Sequence, residues 1–262
     1  MITIVTPTYN RLHTLPRLFE SLCHQRGNGF EWVVIDDGSI DGTNEYLDSI
    51  QVTAPFPVIW KRQDNAGKHI AINTGVELAT YEWVFIVDSD DALDTDALSI
   101  IGDAIEQQRA NDLVGLCFRK KLFSGELVGL NLECLTEPLD TKPTIAGSMM
   151  QGDLAYVFKK QALLQTPFPL IEGERFVPEL YIWNKISDLG RILFYPSVAV
   201  YFCDYLEDGY SQNFRRNLMR NPRGFRLFYM AQISREASPV RKLKCIVRTL
   251  QCTLYTFMRP RR

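Results

Sequence analysis

Apolar positions fall along the chain in two rhythms. Short runs of β-forming residues at 2–5, 32–35, 57–60 and 83–87 have the length and composition of buried strands. Between them, apolar residues recur every three or four positions. Leu12, Leu15, Leu18, Phe19, Leu22 and Cys23 share one face of a helix, with Thr14 placed as its N-cap and Pro16 in its first turn. Further helices are predicted over 43–50, 66–78 and 92–108. Strand and helix alternating at this spacing predict βαβ units and a mainly parallel sheet, an α/β fold.

The rhythm then changes. Runs at 113–118 and 126–130 flank Ser124-Gly125 and predict a β-hairpin. Residues 154–158 read as a strand, 179–189 as a helix, and 192–194 and 198–202 as two short strands. From Asn213 onward apolar and basic residues mix at helical spacing. The chain therefore divides into a first half, 1–111, a second half of the same domain, 112–212, and a helical tail, 213–262.

Composition adds two points. At 262 residues, 46% hydrophobic and 23% charged, the chain can bury a sizeable core, and a disordered or fibrous protein is excluded. The net charge of -2 hides an asymmetry. From Gln212 onward thirteen Lys and Arg residues stand against the single acid Glu236, so the body is acidic and the tail basic. The six cysteines form no CxxC pair, which removes a zinc or thioredoxin-like motif. The opening MITIVTPTYNR is no signal peptide, and no apolar run reaches the ~18 residues of a membrane span. A cytoplasmic protein is expected.

In an open parallel sheet, ligands bind beyond the carboxyl ends of the strands. Polar residues gather there: Thr6 to Asn10 after the first strand, Asp36-Asp37-Gly38-Ser39 after the second, Asp64-Asn65-Ala66-Gly67-Lys68 after the third, and Asp88-Ser89-Asp90-Asp91 after the fourth. Three carboxylates in four positions repel one another. A divalent cation such as Mg²⁺ or Mn²⁺ on a diphosphate resolves that conflict; a solvated loop capping the next helix is the other reading. Gly38 and Ser39 suit a turn and a cap, which leaves one of Asp36 and Asp37 to accept a hydrogen bond from a nucleotide base. Tyr9 can stack on a base or stand as a surface tyrosine. Lys68 opens a helix where a diphosphate would sit, or is simply solvated. A Gly-rich phosphate loop and a GxGxxG fingerprint are both missing, against a nucleotidyltransferase and an NAD enzyme. No nucleic-acid motif accompanies the basic tail, so a nucleic-acid partner is not expected.

Four segments, VTPTYNR (5–11), EWVVIDDGSIDGT (31–43), NAGKHIAINTG (65–75) and WVFIVDSDD (83–91), resemble family-2 glycosyltransferases of the GT-A fold in order and spacing. The stretch at 168–187 resembles the acceptor region of bacterial enzymes that build surface polysaccharides. The resemblance implies a Rossmann-like nucleotide-binding half, a smaller acceptor-side region, and transfer of a sugar from a nucleotide diphosphate, most often UDP, to a glycan or lipid-linked acceptor with inversion. It implies that Pro7, Thr8 and Tyr9 line the nucleoside pocket and that Asp37, with Asp36, contacts the base. Lys68 would sit near ribose or phosphate. Asp88 would approach the ribose or donor sugar and share the metal with Asp90, beside Ser89; Asp91 would contact donor, metal or acceptor. The family's Glu-Asp pair for the general base is missing here. Glu179 is the first choice, with Glu174 and Glu172 as rivals, and Trp183 is an acceptor platform or a core residue. The family's processive synthases carry QxxRW and membrane spans; neither occurs, which favours transfer of one residue. Leu243, Ile246, Val247, Leu250, Leu254 and Phe257 lie at helical spacing among the tail's charges, as a helix on an anionic membrane requires, or one packed on protein. A degenerate nucleotide- or glycan-binding protein on the same fold is the alternative to an enzyme.

Overall fold

Strand β1 (Ile2–Thr8) is buried at every position. It lies between two parallel neighbours, β2 (Phe30–Asp36) and β4 (Trp83–Ile86), and β3 (Val58–Arg62) extends the parallel set beyond β2. The crossovers are α1 (Leu15–Cys23), α2 (Thr43–Thr53) and α3 (Lys68–Leu78). The parallel half read from the sequence is thus present. The coordinates are a computed structural model and describe residues 1–27, 29–108, 112–132, 134–204 and 213–258.

The later elements are β5 (Ala92–Leu93), α4 (Ala97–Gln107), β6 (Leu113–Leu122), β7 (Leu139–Asp140), α5 (Pro143–Met150), β8 (Leu154–Lys159), α6 (Lys160–Gln165), α7 (Leu180–Ile186), β9 (Arg191–Cys203), α8 (Phe214–Arg220), α9 (Pro222–Arg235) and α10 (Pro239–Met258). The described strands form one mixed sheet in the order β3-β2-β1-β4-β8-β6-β9-β5, with β7 on β9. The expected boundary residues 111 and 212 lie outside the described residues. The sheet itself passes without a break from β4 to β8, so both halves share one core.

Alternation along the strands buries both faces. Ile4, Trp32, Val34 and Phe85 face α1, α2 and α4, whereas Val5, Val33, Ile35 and Val84 face α3, α6 and α7. Each fully buried large side chain contributes about 1.5–3 kcal/mol, and the layered result is an α/β/α sandwich.

Three readings are corrected. Ala92 and Leu93, expected to begin a helix, instead pair antiparallel with Phe202 and Tyr201, and the helix starts at Ala97. The hairpin at Ser124-Gly125 is reduced to a turn closed by one bridge, Lys121 to Leu127. The carbonyls of Val128 and Leu130 bond to the buried Arg119 guanidinium rather than to a strand (2.6 and 2.8 Å). The strands at 192–194 and 198–202 are one strand, β9. Pro196 has no N–H for the ladder, and the break is taken up by a register shift against β6, while Arg119 also donates to the Pro196 carbonyl (3.0 Å).

Candidate active site

The loops after β1 and β2 are tied to each other before any ligand is considered. Asn10, in the left-handed region at φ 52°, accepts the Ile40 N–H with its side chain and donates its own N–H to Ser39 (2.9 and 2.8 Å). The Asp37 N–H donates to the Thr8 carbonyl (2.8 Å). The Asp37 carboxylate then holds the loop before α3, accepting from Gln63, Ala66 N–H and Gly67 N–H at 2.8–2.9 Å. Burial pushes its pKa up, against those three donors and the nearby Arg175.

Gly67, at φ +95°, packs directly beneath the Arg175 backbone, where a β-carbon would collide. That close approach brings the 171–178 segment onto the start of α3. As a result Lys68 Nζ donates to Asp88 Oδ1 and Glu179 Oε1 at once, both at 2.7 Å. Burial works against the charged amine, but these two carboxylates hold the Lys68 pKa well above its ordinary value. Burial likewise opposes ionised Asp88, yet Lys68, then Lys120 and Arg11, keep its pKa low.

The acids after β4 remain in conflict. Burial and the Asp88 charge raise the Asp90 pKa. Burial, opposed by Lys120 and reinforced by Asp88 and Asp90, pushes Asp91 up to about 7. Asp88, Asp90 and Asp91 each offer an oxygen, all within 4.8 Å of one another. Lys68, Arg11 and Lys120 each pair with one of these acids, yet the Asp90 and Asp91 pKa values stay raised. Three hard oxygen donors so placed fit a divalent cation of the Mg²⁺ or Mn²⁺ type.

One cleft of about 2410 Å³ gathers these groups, larger than the ~300–1,000 Å³ of an ordinary small-molecule pocket. Pro7, Thr8, Tyr9, Asp37, Lys68, Asp88, Ser89, Asp90, Asp91, Glu172, Glu174, Glu179 and Trp183 all reach it. Tyr9 is 46% exposed, so its ring is free to meet a base. Asp36 stands apart: fully buried, it turns an oxygen to the Ser39 N–H (2.9 Å) and does not line the cleft. Glu174 is buried and receives the Arg223 and Gly224 N–H groups (both 2.9 Å), which makes it the cap of α9. Trp183 is 4% exposed and packed against Tyr156, Phe158 and Phe168, so it has little face to offer an acceptor.

Two residues that touch the acids after β4 escaped the sequence reading, Lys120 on the cleft wall and the buried Tyr201. Tyr201 accepts the Asp88 N–H (2.8 Å) and hydrogen-bonds Asp91. Lys120 lies 3.7 Å from Asp91 and 3.9 Å above the Tyr201 ring. The cations Arg119, Lys120 and Lys121, directly after an apolar strand run, were the available signal.

Residues 3–155 match the model of glycosyl transferase family 2. The chain belongs to that family. Within it, a PGL/p-HBAD biosynthesis glycosyltransferase of Mycobacterium tuberculosis is 35% identical over 118 residues, 44% of this chain and 45% of that protein. The abequosyltransferase RfbV of Salmonella typhimurium is 33% identical over 124 residues, 46% of this chain and 36% of its own. The chain thus matches less than half the length of these relatives. Among solved structures, S. aureus TarS 1–349 in complex with UDP-GlcNAc has a TM-score of 0.69 at 18% identity, over 98% of this chain and 72% of that one. Mannosyltransferase PcManGT from Pyrobaculum calidifontis, in complex with GDP-Man and Mn²⁺, has a TM-score of 0.63 at 19% identity, over 98% and 74%. These two likenesses are of fold, the GT-A fold. The family match spans the acids after β4; Glu179 and Trp183 lie beyond it.

Proposed function

We propose that the protein is an inverting glycosyltransferase that moves a sugar from a nucleotide diphosphate, a UDP-sugar in the first instance, to an acceptor hydroxyl during synthesis of a surface polysaccharide. The observation that carries this reading is the Lys68 bridge between Asp88 and Glu179. It sets a carboxylate from the second half of the chain beside the acidic cluster of the first, inside one cleft.

Pro7, Thr8 and Tyr9 cradle the nucleoside, and the remaining lone pair of Asp37 meets the base edge. Asp88 and Asp90, with Asp91 adjacent, would hold Mn²⁺ or Mg²⁺. When bound, such a cation supplies Lewis-acid stabilisation of a diphosphate leaving group. Glu179 Oε accepts the proton of the acceptor hydroxyl as that oxygen attacks the anomeric carbon. The transition state has oxocarbenium character, as in glycoside hydrolysis. Lys68 holds the Glu179 carboxylate in position. Glu174, whose oxygens are committed to α9, is set aside as base. Among the described residues no helix is long and apolar enough to cross a membrane. The free cysteines fit a reducing, cytoplasmic setting, with the basic tail resting on the inner membrane face.

Calorimetric titration of UDP with and without Mn²⁺, repeated with Asp90→Ala, tests the donor site. Metal-dependent binding lost in the variant supports the reading, and a screen of sugar nucleotides for transfer follows. Binding of GDP or dTDP but not UDP removes the base assignment. Failure to bind any nucleotide removes the enzyme reading in favour of a degenerate binding protein.

A further inference from the structure

Helix α10 packs on the protein with the wrong face for a core helix. Its buried residues are Cys245 and Cys252, the latter clustered with Leu218 and Phe225. At about 100° per residue, Leu243, Ile246, Val247, Leu250, Leu254 and Phe257 fall on the opposite side, within roughly a third of the circumference. They are 42–83% exposed. Lys242 borders this stripe on one side and Lys244 on the other, both exposed, and the helix carries no acidic residue.

The stripe also adjoins the cleft. Thr256 and Phe257, in the last turns of α10, line the same cavity as Asp90 and Glu179, and so do Arg220 and Arg223 from the preceding helices. A surface that receives the stripe therefore meets the rim of the active site.

We propose that the α10 stripe lies in the interface of an anionic lipid surface, with the cleft opening beside that surface. Apolar residues enter the headgroup boundary while flanking lysines meet lipid phosphates, the arrangement of an interfacial helix. Charge decides between this occupant and a second copy of the chain. A two-fold pairing sets the same patch against itself, which brings Lys242 and Lys244 against like charges with no acid on the helix to answer them. Lipid phosphates answer both borders. The assignment of a lipid-borne acceptor rests on the transferase reading; the binding itself does not.

The test is cosedimentation of the full chain with vesicles of phosphatidylcholine alone or mixed with phosphatidylglycerol. The proposal expects binding to the anionic vesicles, loss at high salt, and a drop of about tenfold for Leu250→Glu. The double variant Lys242→Glu/Lys244→Glu should lose the anionic preference. All these side chains are exposed, so thermal melting and Mn²⁺-dependent UDP binding should match the parent. UDP binding is thereby read separately: its absence strikes the transferase reading and leaves the membrane result standing. Equal recovery in the supernatant with and without anionic vesicles overturns the proposal. So does a concentration-dependent dimer that Leu250→Glu dissolves without any vesicle binding, which would assign the stripe to a second copy.

Discussion

The backbone of Arg175 occupies the space that a β-carbon on residue 67 would need, so only Gly67 fits beneath it. Gly67→Ala must either push the 171–178 segment outward or distort α3. The positive φ alone costs about 1–3 kcal/mol. The expected result is a lower melting temperature together with a loss of transfer, because Glu179 is carried away from Lys68. An unchanged melt and unchanged activity would show that the contact does not position the site.

Glu179 and Glu174 should separate cleanly by variant. Glu179→Gln is expected to slow transfer by about 10²–10⁴-fold with donor KM little changed. Glu174→Gln leaves the Arg223 and Gly224 N–H groups less well capped. It should cost about 0.5–2 kcal/mol of stability while keeping most of kcat. Steady-state kinetics beside denaturant melts check both, and the reverse pattern would exchange the two roles.

Tyr201→Phe removes the acceptor of the Asp88 N–H and a donor to Asp91. Groups that orient ligating carboxylates typically matter 10–100-fold in metal affinity, roughly. The Mn²⁺ concentration that half-saturates UDP binding should rise by about that factor. No change would mean that these carboxylates hold no metal.

His69 is 2% exposed, packs edge-on against Phe168, and has no hydrogen bond of normal geometry at either ring nitrogen. Burial lowers its pKa to about 4, softened only by the Arg175 carbonyl nearby. The unfolded chain takes up this proton near pH ~6.5, whereas the folded chain resists until about pH 4. Stability from this residue is therefore complete above pH ~6.5 and declines as pH falls through that window, by up to about 3 kcal/mol. Urea melts at a series of pH values should show the slope, and His69→Gln should flatten it.

What the sequence disclosed follows from where signals are local. The parallel strands and their terminal polar clusters were legible because a buried strand is a compact apolar run and its carboxyl end is marked by turn chemistry. The second half depends on distant partners. Two residues, Ala92 and Leu93, cannot announce a strand whose neighbour lies near residue 202. The proline at 196 divides one strand into two when pairing is unseen. Helix α5, TIAGSMM after its opening proline, carries Gly, Ser and β-branched residues that weaken local propensity. Glu179 was within reach as an acid opening a helix, but its link to Lys68 comes from tertiary packing. Glu174 offered the same local signal, and only the position of α9 gives it another task.

The seam between donor and acceptor sides has an engineering consequence. The loops after β1, β2 and β3 are held in place by one another, as the grip of Asp37 on residues 63–67 shows. The second half touches the donor side next to the chemistry at Gly67 against Arg175, Lys68 against Glu179, and the acids after β4 against Tyr201 and Lys120. A chimera that grafts another relative's acceptor side onto this donor unit therefore has these joints to preserve. A graft that keeps a glycine under the crossing backbone, a glutamate opposite Lys68, and the tyrosine and lysine behind the acids should inherit the new acceptor while retaining the old donor.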